Sequence, residues 1–321
     1  MKEAKIWSIL AFLLVFGNSC QNLKKSNLTL FSDIIPKDTP LVFAPGIISI
    51  DDYIEGSLVF NPEMTELFFQ RRKPEESHNI YTMKFMDGRW SAPELAVFSA
   101  NKEYLDVHPR MSSKGNQLYF GSRRPINDSV ASSGLRQWYI EKHKTGWGQP
   151  MHLSEKLFEG EWIMCVSPAA NGNLYFTSKE KEDKLEDEGI YYALNQEGRY
   201  HTIEKMGKQI NGHGKWIAHP YIAPDESYLI YDAERTSKDE NSDLYISFTK
   251  DGAWTESYSL GSEVNTKLSE GAATVSPNGK YLFFSRGEEK IREDGSTYWM
   301  GDLYWVDFTR LKERLQNENG N

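Results

Sequence analysis

The sequence predicts an all-β, five-bladed β-propeller of four-stranded antiparallel blades, and three observations carry that expectation. One pattern recurs five times: a β-rich run, a tight polar turn, then Leu followed by two mostly aromatic or apolar residues. The anchoring residues Leu67, Leu118, Leu174, Leu229 and Leu282 are 51, 56, 55 and 53 residues apart. The repeats are also offset by one strand. The last stops after its third strand near Asp307, while the first is preceded by a spare segment, Pro45 to Ser49, with the character of a fourth strand. Regular repeats of this length indicate stacked supersecondary units, and a one-strand offset closes a ring without leaving a free edge.

Each element follows in order. First strands end at Asn61-Pro62, Ser112-Ser113, Ser167-Pro168, Ala223-Pro224 and Ser276-Pro277. Second strands start at the anchoring leucines, and third strands contain Ile80-Tyr81, Trp138-Tyr139, Ile190-Tyr191, Leu244-Tyr245 and Leu303-Tyr304. In four copies a glycine turn then ends in Trp90, Trp147, Tyr200 or Trp254. Asp-Gly between β runs marks a hairpin, since glycine accepts the positive φ that the turn requires. Fourth strands follow near Leu95, Leu153, Ile203 and Leu260. The repeated tryptophans are expected to pack between blades.

The unit Ser276-Pro277-Asn278-Gly279-Lys280-Tyr281-Leu282-Phe283-Phe284 and its four relatives resemble the TolB-type, WD-repeat-like propeller family. The resemblance covers residues 43–308. It implies the propeller and leaves function open, because such propellers serve as scaffolds, receptors and enzymes. Residues 309–321 are expected to be a short tail, with Thr309 to Gln316 forming one or two exposed helical turns.

Ahead of the repeats, Lys2 and Lys5 precede an apolar run from Ile6 to Phe16 that ends in Gly17, Asn18, Ser19 and Cys20. That run is too short to cross a bilayer, which takes about 20 residues. A basic start, a short apolar core and small residues describe a secretory signal. Cys20 sits where bacterial lipoproteins carry their lipid, and the segment resembles such a signal. Residues 1–19 are therefore expected to be a lipoprotein-type signal and 20–42 a polar tether. Gln21-Asn22-Leu23-Lys24-Lys25 contains no acid, which favours an outer-membrane anchor facing the periplasm.

Composition narrows the function. Forty-six acids against 37 bases give a net charge of −9, the opposite of the basic footprint that nucleic-acid binding needs. Two cysteines exclude a disulfide scaffold. No Gly-rich phosphate loop and no Gly-x-Ser-x-Gly elbow occurs.

The short turns share one face of the ring, so a site is expected on the other, among the long connections Gly121–Leu135, Ser178–Glu188, Asp232–Ser242 and Ser285–Gly301. Aligning the first strands on their proline position brings out Glu55, Asp106, Glu161, Ile217 and Glu270. On the same side follow Ser57, His108, Ile163, His219 and Ala272, then Val59, Arg110, Cys165, Tyr221 and Thr274. The candidate ligand-binding set is Glu55, Asp106, His108, Arg110, Glu161, His219, Tyr221 and Glu270, reaching a solvated central channel. Basic residues just beyond the second strands, Arg71, Arg72, Arg123, Arg124, Lys179, Arg235 and Arg286, offer the acids a structural role as ion pairs between blades. Trp162, Trp216 and Trp299 break the repeat pattern near the loop face and suit a sugar ring or a peptide.

The expected function is a membrane-tethered, monomeric binding module without a cofactor, recognising an envelope protein or a glycan. The alternative is an oligosaccharide-active lyase or hydrolase. It would use acids of the inner strands, and a divalent metal on His108 and His219. The anchor is testable directly: Cys20→Ala should move the protein from the membrane fraction to the soluble one, and unchanged fractionation excludes a lipid on Cys20.

Overall fold

The computed structural model describes residues 34–126, 134–153, 162–179, 188–235 and 241–318. The signal segment, Cys20, the start of the tether and Glu161 lie outside the described residues. Five antiparallel blades form a β-propeller. In blade I the strands are Ile54–Phe60, Glu66–Arg72, Asn79–Met86 and Glu94–Leu95. Blade II has Asp106–Met111, Gln117–Ser122, Arg136–His143 and Met151–His152. Blade III has Ile163–Pro168, Leu174–Ser178, Gly189–Ala193 and Glu204–Lys205. Blade IV has Lys215–Ile222, Tyr228–Glu234, Ser242–Lys250 and Tyr258–Ser259. Blade V takes Ser269–Val275, Tyr281–Ile291 and Thr297–Asp307 from the end of the propeller.

Its fourth strand comes from the other end. Leu41 and Val42 pair with Trp305 and Tyr304, so the ring closes with an N-terminal strand, four residues earlier than the Pro45–Ser49 segment expected for that role. Pro45 to Ser49 instead forms a tight turn closed by a bridge between its ends. Phe43, which follows the closing strand, is fully buried against Phe283 and Trp305.

Second strands are apolar on both sides because a neighbouring blade covers each side. Leu67 and Phe69 enter the cluster between blades V and I, while Phe68, pointing the other way, enters that between I and II. Among the described residues there are five such clusters, one at each interface. The hairpin aromatic of one blade packs on the second strand of the blade before it. Trp147 meets Phe68 edge-on at 5.7 Å, and Trp254 meets Tyr175 at 6.3 Å.

Blade V has no such hairpin, and a helix, Phe308–Glu318, takes its place. Phe308, Leu311 and Leu315 are buried in the cluster between blades IV and V, with Phe308 5.3 Å from the Tyr228 ring. The expected exposed tail is thus a packed amphipathic helix. The connection Ser285–Gly301 departs from expectation as well: it is no loop but a ribbon, paired continuously to Ile291↔Thr297. Among the described residues no helix is long and apolar enough to cross a membrane.

The helix makes a prediction. Phe308→Ala should destabilise the propeller by about 3–5 kcal/mol, the cost of emptying a buried aromatic site. Arg310→Ala, whose partner Asp38 is on the surface, should leave the unfolding midpoint near wild type. Chemical denaturation followed by tryptophan fluorescence measures both.

Candidate functional site

The first strands control what reaches the ring axis. Each carries a bulge three residues before the partner of its anchoring leucine. The bulge residues are Ser57, His108, Cys165, His219 and Ala272, all with positive φ. Left-handed backbone is costly for residues with a Cβ, and here neighbouring blades hold it in place. The amide of His108 donates to Gln70 Oε1 at 2.8 Å, that of His219 to Thr177 Oγ1 at 3.0 Å, and that of Ala272 to Asp232 Oδ1 at 2.9 Å. In blade II the residue equivalent to Gln70 is Gly121, and its cross-strand partner Gln137 reaches over to the Val166 amide instead.

This register corrects the alignment of blade III. Pro168 pairs with Leu174 just as Phe60 pairs with Leu67. Cys165 therefore shares the level of His108 and His219, and Ile163 falls on the acidic position in place of Glu161. The ring of acids has three described members, Glu55, Asp106 and Glu270, with isoleucines in blades III and IV.

All three acids are fully buried in ion pairs. Arg71 Nε donates to Glu55 at 2.9 Å, Arg124 Nη2 to Asp106 at 2.9 Å and Arg286 Nε to Glu270 at 2.8 Å. The pairs lie within a blade, not between blades as expected. Each guanidinium stacks on aromatics of its own blade, Phe69 and Tyr81, Phe120 and Trp138, or Phe284 and Tyr304. The same guanidinium then donates to carbonyls of the segment entering the blade: Ile47 at 2.9 Å, Phe98 at 3.0 Å and Val264 at 2.7 Å. In blade III the residue facing Ile163 is Ser178, while blade IV keeps an arginine at the offset of Arg124, Arg235, which donates to Thr266 O at 3.0 Å and Leu268 O at 3.1 Å. Glu55, Asp106 and Glu270 serve as staples.

Nor is the channel solvated throughout. Arg110 is 2% exposed and lies across the axis, donating to Ser57 Oγ at 3.0 Å and to Ala273 O at 3.3 Å. Tyr221 stands beside Tyr228, their rings 6.3 Å apart, and burial pushes its hydroxyl up to about 12. The Cys165 thiol is buried and pushed up to about 11 by that burial, which leaves it protonated and unreactive at neutral pH.

Above Arg110, small residues at three bulges leave space that two imidazoles fill. His108 and His219, from non-adjacent blades, sit with ring centroids 4.5 Å apart. They line a pocket of about 200 Å³ at the channel mouth, together with Gln70, His78, Asp232 and Trp299. His219 Nδ1 lies 2.9 Å from Asp232 Oδ2, so the carboxylate orients the ring and leaves Nε2 toward other partners. Arg72 Nε donates to His78 Nε2 at 3.0 Å, which puts the His78 proton on Nδ1. Among the described residues the buried Nδ1 atoms of His78 and His108 have no hydrogen-bond partner.

Burial holds His108 well below the usual imidazole range, assisted by His219 and Arg110, and holds His78 down to about 3. Both are neutral at physiological pH. Glu188, beside His219 and Asp232, is raised to about 6 by burial. Among the described residues no three His, Cys, Asp or Glu side chains converge in metal-binding geometry.

His78, Gln70, Asp232 and Glu188 were not legible as site residues in the sequence. The polar column Gln70, Thr177 and Asp232, three residues after each anchoring leucine in otherwise apolar strands, is the signal that could have found two of them. Of the off-pattern tryptophans, Trp299 lines the pocket, Trp162 lies under Lys179, and Trp216 forms a second bulge in blade IV.

No protein-family model and no curated protein matches the sequence. Among solved structures, the catalytic domain of the Coprinopsis cinerea GH62 alpha-L-arabinofuranosidase is similar with a TM-score of 0.50 and 10% identity, over 86% of this chain and 98% of that one. A thermostable family-43 glycoside hydrolase gives 0.49 and 14%, over 81% and 90%. TolB from Acinetobacter baumannii gives 0.47 and 15%, over 77% of this chain, which spans 55% of TolB's length. At such identities the likeness is one of fold, and a propeller fold does not specify an activity.

The depressed imidazoles set a pH dependence. His78 binds a proton near 6.5 when unfolded and near 3 when folded. The stability it contributes is therefore complete above pH 6.5 and lost as pH falls toward 3, at up to about 1.4 kcal/mol per pH unit. His78→Asn should flatten the fall between pH 6.5 and 5 by about 2 kcal/mol in total; an unchanged slope in urea titrations would contradict the assignment.

Proposed function

We propose that this chain is a binding module of the bacterial cell envelope, tethered through Cys20 to the outer membrane and facing the periplasm, with its ligand seated at the channel mouth. One observation carries the reading. His108 and His219 meet at a pocket that Gln70, His78, Asp232 and Trp299 also line, while Glu55, Asp106 and Glu270 are spent in ion pairs. A small cavity with several convergent polar side chains and an aromatic wall suits a polar ligand.

A second reading is an oligosaccharide-active enzyme, favoured by the His219–Asp232 pair. A carboxylate-oriented imidazole with a free Nε2 is the arrangement of a general base, and Glu188, protonated below about pH 6, supplies a group of opposite role nearby.

A thermal-shift screen of the protein against oligosaccharides, peptides and divalent metals separates the readings. His108→Asn and His219→Asn are the informative variants, because asparagine tolerates the left-handed bulge while removing the ring. Ligand stabilisation lost in both variants, without turnover of the ligand, supports the binding module. Turnover lost in His219→Asn supports the enzyme, and stabilisation that survives both variants places the ligand elsewhere and refutes the proposal.

A further inference from the structure

We propose that the channel-mouth pocket takes the terminal ring of a neutral saccharide, with Trp299 as its stacking platform. The inference rests on the binding reading above and names the ligand. Its basis is the ribbon of blade V. The second and third strands of this blade run on to Ile291 and from Thr297, well past the ends of their counterparts in the other blades. Gly287 and Gly301 face each other across this ribbon. A Cβ on either would lie 2.7 Å from the Trp299 indole Cζ2, closer than real contacts allow. The two bare positions therefore make room for the indole against the strands at the edge of the pocket, where it forms part of the wall.

The ribbon is fixed to the opposite rim. Arg292 donates from Nε to Glu75 at 2.9 Å and from Nη2 to Pro74 O at 3.3 Å, while its guanidinium stacks 4.5 Å from the Tyr298 ring. Pro74 O also accepts from Arg72, the residue that orients His78. One hydrogen-bonded chain thus sets the aromatic platform and the imidazole rim relative to each other.

The chemistry across from the indole suits hydroxyl groups. A hydroxyl both donates and accepts, and the rim offers His219 Nε2, the ring nitrogen that Asp232 does not hold. Gln70, whose carbonyl is committed to the His108 amide, adds its NH₂ group. Asp232 lines the same pocket, so an anionic ligand meets a carboxylate. A volume near 200 Å³ has room for one ring. An aromatic wall for the C–H face of a sugar, with mixed polar partners around its edge, completes the match.

The test is isothermal titration of the full chain with a panel of neutral disaccharides and their uronic-acid counterparts. The variants are Trp299→Ala, Trp299→Phe and His219→Asn, each first checked for an unchanged melting profile. The expected result is binding of a neutral saccharide, weakened about tenfold by Trp299→Ala, nearly retained by Trp299→Phe and abolished by His219→Asn. Loss with His219→Asn but none with Trp299→Ala overturns the platform and leaves the pocket standing. Preference for uronates overturns the neutral class. Saccharide binding indifferent to all three variants overturns both inference and site. Failure of every saccharide, with a peptide or metal instead responding to His219→Asn, overturns the saccharide alone.

Discussion

The structure turns on the backbone bulge at the middle of every inner strand. A strand of uniform pleat would send alternate side chains to the two neighbouring blades and none across the axis. The left-handed residue at Ser57, His108, Cys165, His219 and Ala272 re-aims the chain at one level of all five blades, as bulges do where a side chain must be presented. It leaves an amide that the ladder cannot use. The preceding blade satisfies that amide with Gln70, Thr177 or Asp232. Neighbouring blades are thereby joined by polar contacts as well as by the apolar clusters between them, and the same contacts furnish the pocket wall.

Charge is arranged on the same economy. The three buried carboxylates each have a guanidinium that stacks on aromatics and reaches the incoming segment. Removing only one partner of such a pair leaves a buried charge without compensation. Arg110 is the exception, a buried arginine held by a hydroxyl and by backbone carbonyls. It bridges the inner strands of blades I and V across the channel.

The repeat, the blade count and the one-strand offset were legible because they depend on local pattern: a leucine, a turn and an aromatic at even spacing. What escaped depends on long-range geometry. The blade III register was misjudged because Pro168 occupies the end of the strand, not the turn, and a shift of two residues exchanges Glu161 for Ile163 on the acidic level. The helix at Phe308 was undervalued because its role, filling the place of a missing hairpin aromatic, exists only once blades IV and V are side by side. His108 and His219 were visible as polar residues on an inner strand. Their partner Asp232 was not, since a carboxylate at the end of a second strand resembles the start of a loop.

The closing strand sets the order in which this molecule can assemble. Leu41 and Val42 find their partners only on the last strand, and Ser49 Oγ bonds Leu303 O across 254 residues of sequence. Four blades can form from contacts between near neighbours in the chain, but the seam must wait for the whole ring. Contacts of that separation are slow to form because loop-closure entropy is lost before they are gained. Until then the chain is an open arc with two unsatisfied ends, and the final docking of two residues converts it into a continuous ring.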